Sequence, residues 1–175
     1  MALDTRLVEQ ATSEFHVAAP GGQGARALAC MLADVGQMHG LSALSKRSGT
    51  DPQKVRGSHQ TETATVRFSN TDGQPFRVTA VMHPELMDKA GDGLLLVNCR
   101  QPIETGTVRS IDAAGIAQAL GVPAYLPMLG ALAKSAGWAD LNRVKTAVKM
   151  ILEDLAPYWV EPGLAAVEAG YCSLA

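Results

Sequence analysis

Gly22-Gln23-Gly24-Ala25-Arg26-Ala27 has the G-x-G-x-x-A spacing with which a backbone closes around a phosphate. Glycines at these positions let amide N–H groups approach an anion with no side chain in the way. A helix that starts directly behind them adds the partial positive charge of its N-terminus. Gly21, Gly22, Gln23 and Gly24 are therefore candidate ligand-facing residues, and the alternative is a tight turn required only by packing. A nicotinamide dinucleotide site carries an acidic residue about twenty positions on, at the end of the second strand, where it holds a ribose hydroxyl. This sequence has Lys46 and Arg47 there. Basic groups at that place suit an additional phosphate, such as the 2′-phosphate of a dinucleotide or the 3′-phosphate of coenzyme A, and a solvated loop is the other reading. Arg56 and Gly57, followed by Ser58-His59-Gln60, offer either a second anion-facing lip or an exposed turn.

Groups able to break bonds are missing. His16, His39, His59 and His83 form no metal-ligand spacing and belong to no H-E-x-x-H, so each reads as structural. Cys30, Cys99 and Cys172 form no C-x-x-C, which argues against a disulfide framework, a zinc knuckle or an iron–sulfur cluster ligated by this chain alone. Gly91-Asp92-Gly93 matches the start of a thiamine diphosphate motif, but Asn98 follows far too soon to complete it, and the triplet reads as a turn before a strand. The expectation is no catalytic residue and no metal ligand in this chain.

The elements that must position the glycine loop follow from the apolar pattern. With 175 residues, 47% of them apolar and 18% charged, and a net charge of −2, the chain fits one globular domain and carries no nucleic-acid footprint. It shows no secretion signal and no apolar run of the roughly 20 residues a membrane span needs, so the expected location is the cytoplasm. Residues 1–14 read as a lead-in and 15–175 as the domain. Phe15, Val17, Ala18 and Ala19 form a buried strand stopped by Pro20; Ala25, Leu28, Ala29, Leu32, Val35 and Gly36 then recur at helical spacing. A second strand over 41–44 precedes a polar loop over 45–60. Residues 61–81 alternate around Asp72-Gly73, which predicts a β-hairpin with one wet face.

A helical turn over 83–89, a strand over 93–97 and a β segment near 107–111 come next. Asp112 is the expected cap of an alanine-rich helix ending at Gly121, and a further helix covers 125–136. Leu141, Val144, Val148, Ile151, Leu152 and Leu155 stripe a third, ended by Pro157, and the tail forms a last short helix. The fold class is α/β: a single Rossmann-like three-layer domain with a mostly parallel sheet and a β-hairpin addition.

In their order these fragments resemble the gamma subunit, or gamma domain, of the 2-oxoacid:acceptor oxidoreductases, the pyruvate and 2-oxoglutarate ferredoxin-type family. Ala19-Pro20-Gly21-Gly22-Gln23-Gly24 is similar to its G-x-G-G-Q-G loop, with Pro20 in place of a usual glycine. Arg56-Gly57-Ser58 before Thr65-Val66-Arg67-Phe68-Ser69 resembles an R-G-G element leading into a V-R-[IV]-S strand. Asp92 to Asn98 resembles D-x-L-L-x-x-N, Leu129-Gly130-Ala131-Leu132 an L-G-A-L segment, and Ala169-Gly170-Tyr171 the closing G-Y element. The resemblance implies an accessory subunit of a complex that oxidatively decarboxylates a 2-oxoacid with coenzyme A. Thiamine diphosphate, Mg2+ and iron–sulfur clusters then belong to partner subunits of alpha, beta and delta type. Electrons go to ferredoxin or, through an added flavin subunit, to NAD. Gly21 to Gly24, Gly57 and the basic Lys46, Arg47 and Arg56 are implied at the coenzyme A site. A stand-alone NAD(P)-binding oxidoreductase and a purely structural interface subunit are the alternatives.

Overall fold

The structure, a computed structural model, describes residues 13–48, 61–69 and 76–174. β1 (Ser13–Pro20) leads through the glycine loop into α1 (Ala25–Met38), then β2 (Ser42–Ser48), β3 (Thr61–Ser69) and β4 (Arg77–Val81). A 3-10 helix (Pro84–Lys89) connects to β5 (Leu94–Asn98), followed by the short β6 (Glu104–Thr105) and β7 (Val108–Ile111). α2 (Ala113–Leu120), α3 (Tyr125–Ala136), α4 (Leu141–Leu155), a 3-10 turn at Pro157–Trp159 and α5 (Val160–Cys172) complete the domain.

The seven strands form one sheet in the order β2-β3-β1-β4-β5-β7-β6. β1, β4, β5 and β7 pair in parallel, and β3 runs antiparallel to both β1 and β2, so β2 points the same way as β1. Only β3 and β6 oppose the rest, which bears out a mostly parallel sheet. Phe15, Val17 and Ala19 of β1, Ala64, Val66 and Phe68 of β3, and Val78 and Ala80 of β4 share one face with the core contributed by the helices. Ala18, Val81, Leu95 and Val97 form a smaller cluster on the other face, where the third layer is reduced, among the described residues, to the 3-10 helix with Leu86 and Met87. Among the same residues, no helix is long and apolar enough to cross a membrane.

Two expectations need correction. β3 and β4 do not form a hairpin: β1 lies between them, with Val17 opposite Ala64 on one side and Ala80 on the other. Period-2 alternation fixes which face a strand buries but not which neighbour it takes. β1, with Phe15, Val17, Ala18 and Ala19 all fully buried, is the strand that demands a partner on each edge. The expected turn at Asp72-Gly73 lies outside the described residues. The second strand also runs past Leu44 to Ser48, so Lys46 and Arg47 are ladder positions opposite Thr65 and Ala64 rather than loop residues. Polar sequence marks an edge strand as readily as a loop, because backbone pairing with β3 needs no apolar side chain.

The core is densest where rings meet. Phe68 stacks on Trp138 at 5.4 Å and meets Phe15 edge-on at 5.8 Å. α1 passes directly above: a Cβ on Gly36 would overlap the Phe68 ring, so the helix approaches the sheet closely there because that residue has no side chain. The same device joins α3 to α5. A Cβ on Gly130 would run into the Val167 carbonyl oxygen, and one on Gly170 into the Pro127 carbonyl oxygen. These two glycines are the ones in the L-G-A-L and G-Y segments, and the structure gives them a packing role.

The wet face predicted for β3 extends over β1. Arg67 donates to Glu14 at 2.6 Å, and His16 Nδ1 lies 3.0 Å from Thr65 Oγ1. Burial lowers the His16 pKa from its ordinary 6.5, and Glu14 partly opposes this. A depressed histidine pKa means that the unfolded chain binds the proton more readily. The contribution to stability is complete above the unfolded value and is lost as pH falls through it toward the folded one. The denaturation midpoint should therefore drop on acidification below about pH 6.5, and His16→Gln should flatten that part of the profile, which urea titrations across pH would measure.

Candidate functional site

The glycine loop sits where chain direction across the sheet reverses. From β1 the chain crosses over α1, on the large-core face, toward the β2 edge; from β4 it crosses over the 3-10 helix, on the other face, toward the β6 edge. Right-handed crossovers require opposite faces for opposite directions, and the crevice outside the carboxyl ends at such a reversal is where ligands bind in open α/β sheets. Here those ends are Pro20 of β1 and Val81-Met82-His83 of β4, held together by the Met82 N–H to Ala18 carbonyl bond at 2.8 Å.

The loop is built tightly and left open. Pro20 ends the strand, where its missing N–H costs no internal ladder bond, and its carbonyl accepts the Gln23 N–H at 3.0 Å to close the turn. Gly22 and Gly24 take φ of +77° and +91°, a region costly for any side chain. A Cβ on Gly24 would also touch Tyr125 Cδ1 at 3.0 Å, whereas one on Gly22 would meet nothing within 4 Å. Gly24 thus serves conformation and packing together, while Gly22 faces free space. Gly21, Gly22 and Gln23 are exposed.

Behind the loop α1 starts without the features that normally settle a helix N-terminus. Its cap is Gly24, which supplies no side-chain acceptor, and the first turn contains no acidic residue. The first intrahelical donor is Leu28, bonded to the Gly24 carbonyl at 2.9 Å, so the preceding amides have no helical acceptor. Arg26 stands exposed in that turn, a cation at the positive end of the dipole. No side chain of the first turn offsets that positive end. Tyr125, at the start of α3, walls the loop; burial raises its pKa above 10.0, and neighbouring Tyr158 adds to the rise.

The other expected residues are distributed less tightly. Lys46 and Arg47 lie in β2, two strands from β1, roughly 10 Å across the sheet, since β3 occupies the place that a dinucleotide fold gives to the second strand. The description of these two residues is of their backbone. Arg56 and Gly57 lie outside the described residues, as does His59. His39 Nδ1 bonds the Val35 carbonyl at 2.6 Å, and His83 Nδ1 accepts the Glu85 N–H at 3.3 Å, which makes both local structural groups. No metal-binding cluster occurs among the described residues. Gly91-Asp92-Gly93 is the expected turn before a strand; Gly93 has a φ of +117°, and a Cβ there would strike the Arg77 carbonyl.

Sequence reasoning missed the cleft beside the loop. About 690 Å³ in volume, it opens at the carboxyl ends of β4 and β5 against the first turns of α2 and is lined by His83, Asn98, Cys99, Arg100, Asp112 and Gln118 among others. Asn98 fixes its floor: Nδ2 donates to the Met82 carbonyl at 3.0 Å, and Oδ1 accepts the Ala114 N–H at 3.1 Å, which ties β4, β5 and α2 together. Asp112 caps α2 as expected, accepting the Gly115 N–H at 2.9 Å. The available signal was positional: His83 and Arg100 each follow the end of a parallel strand, where ligand-facing residues collect.

The glycine loop and the uncapped start of α1 thus lie at the carboxyl edge of a mostly parallel α/β sheet. The sequence matches the family model for pyruvate ferredoxin/flavodoxin oxidoreductase over residues 14–173, and the chain belongs to that family. Its fold is that of the gamma subunits. Superposition on the pyruvate oxidoreductase subunit PORC of Thermotoga maritima gives a TM-score of 0.69 at 23% identity, over 91% of this chain and 95% of that one. The keto/oxoacid ferredoxin oxidoreductase gamma subunit of Geobacter sulfurreducens gives 0.69 at 22%, over 91% and 96%. The 2-oxoglutarate:ferredoxin oxidoreductase of Magnetococcus marinus, solved with 2-oxoglutarate, coenzyme A and succinyl-CoA bound, gives 0.71 at 18%. That alignment covers 95% of this chain and 32% of the longer one. No curated protein matches the chain.

Proposed function

We propose that this chain is the gamma subunit of a coenzyme A-acylating 2-oxoacid oxidoreductase and that its glycine loop forms one wall of the coenzyme A site. The complex converts a 2-oxoacid and coenzyme A to acyl-CoA and carbon dioxide and passes two electrons to ferredoxin. The observation that carries the reading is the start of α1: no side-chain cap, no first-turn acid and an exposed Arg26, behind glycines that hold the loop open. A diphosphate supplies the negative charge and the acceptors that this turn lacks. Gly21, Gly22, Gln23 and Gly24 present backbone to it; Lys46, Arg47, Arg56 and Gly57 are further candidates for phosphate contacts. The bond-breaking chemistry belongs to thiamine diphosphate with Mg2+ and to iron–sulfur clusters, held by alpha, beta and delta-type partners. This chain supplies position and charge.

The test is reconstitution. The complex assembled with this chain should oxidise its 2-oxoacid in a coenzyme A-dependent manner, and the complex lacking it should lose most of that dependence. Equal activity in both would sink the proposal.

A further inference from the structure

We infer that Leu155 and Tyr158, at the end of α4 and in the turn before α5, form the surface by which this chain docks on a partner subunit, whose facing side is an apolar pocket rimmed with lysine or arginine. The inference rests on the reading of the chain as the gamma subunit of such a complex and adds to it where the partner sits.

Among the described residues the large apolar side chains that stand exposed are Met38, Met150, Leu155 and Tyr158. Met38 and Met150 line a shared groove between α1 and α4. Leu155 and Tyr158 are the most exposed of these, at 75% and 73%, and lie three residues apart around the buried Ala156, so apolar surface is concentrated there rather than scattered. The Tyr158 ring is held in place. Pro157 fixes the backbone before it, and the half-buried Trp159 meets it edge-on at 5.1 Å. A preorganised aromatic side chain anchors an interface well, because it has little freedom left to lose on binding.

Position and charge identify the occupant. α3 begins at the glycine loop, with Tyr125 against Gly24, and α4 follows it through the short connection 137–140, which makes the two helices antiparallel neighbours. α4 therefore ends at the loop's side of the domain. Tyr158 is close enough to Tyr125 to add to the rise in its pKa that burial causes. A partner that covers this edge meets the loop and the patch in one surface. From 150 to 175 the sequence has no Lys or Arg and four carboxylates. Glu153 pairs with Lys149 and Glu168 with Lys145. Asp154 and Glu161, both exposed and without an ion pair among the described residues, stand on either side of Leu155 and Tyr158 in the chain. A two-fold contact with a second copy would set this acidic patch against itself, which repels. A different protein, with lysine or arginine around an apolar pocket, is attracted instead.

The partner subunits of the complex, purified without this chain, are the probe. The full chain is titrated into them, and binding is followed by light scattering alongside coenzyme A-dependent oxidation of the 2-oxoacid. Tyr158→Ala and Leu155→Ser should each raise the concentration for half-maximal binding about tenfold or more, the loss expected of an interface anchor, and leave the melting temperature of the isolated chain unchanged. Asp154→Lys should weaken binding and reduce its sensitivity to salt. The last turn of α4 has no basic residue, and a cation suits that end of a helix, so poor folding cannot account for such a loss. Unaltered half-saturation in Tyr158→Ala and Asp154→Lys overturns the inference. So does a dimer of the isolated chain that Tyr158→Ala splits, which would make a second copy the occupant. The gamma-subunit reading fails separately, if the wild-type chain binds the partners yet confers no coenzyme A-dependent activity.

Discussion

Gly130→Ala and Gly170→Ala are each expected to destabilise the domain by about 3 kcal/mol or more, the upper range for inserting a methyl into a packed core. Each new Cβ would meet a carbonyl oxygen of the facing helix, Val167 for Gly130 and Pro127 for Gly170. Backbone cannot rotate aside as a side chain can. Relief therefore requires α3 and α5 to separate along their whole contact, which includes the fully buried Leu126, Leu129 and Ala166. Because one separation relieves both clashes, the double variant should cost clearly less than the sum of the singles. Denaturant midpoints of the four proteins in the cycle measure this, and additive costs would show that the two contacts yield independently. Gly121→Ala is the control: its φ of +67° makes it strained, yet nothing lies within 4 Å of its Cβ, so its cost should stay near 1 kcal/mol.

Much of this arrangement was legible from the residues. The start of α2 followed from its cap, since Asp112 accepts the Gly115 N–H as its position predicts; Asp140 caps α4 in the same way but was not read from the sequence. The burial face of each inner strand followed from alternation at Phe15, Val17, Ala64, Val66 and Phe68. Pairing did not follow, because Val66 and Val78 carry the same signal whether their strands adjoin each other or flank a third. The glycine loop was visible because its requirement is local: φ values and a helix start are properties of neighbouring residues. The cleft lined by His83, Asn98 and Asp112 was not visible, because it arises from β4 and β5 lying side by side against α2, a fact of topology that no spacing in the sequence encodes.

Gly22 and Gly24 separate the two roles a glycine loop can have. Gly22→Ala should leave the fold intact at a cost of about 1 kcal/mol, because its strain is that of a left-handed residue and its Cβ meets no neighbour within 4 Å. The methyl would instead occupy the space into which an anion must descend to reach the amides behind the loop. The KM for coenzyme A should rise at least tenfold, equally for coenzyme A and dephospho-coenzyme A, since the diphosphate is common to both. Gly24→Ala adds contact with the Tyr125 ring at 3.0 Å to similar strain, so it should lower thermal stability as well as coenzyme A use. Gly24→Ala with Tyr125→Leu should recover part of the stability without recovering the KM. A Gly22→Ala complex that assembles and uses coenzyme A as the wild type does would reduce the loop to a turn.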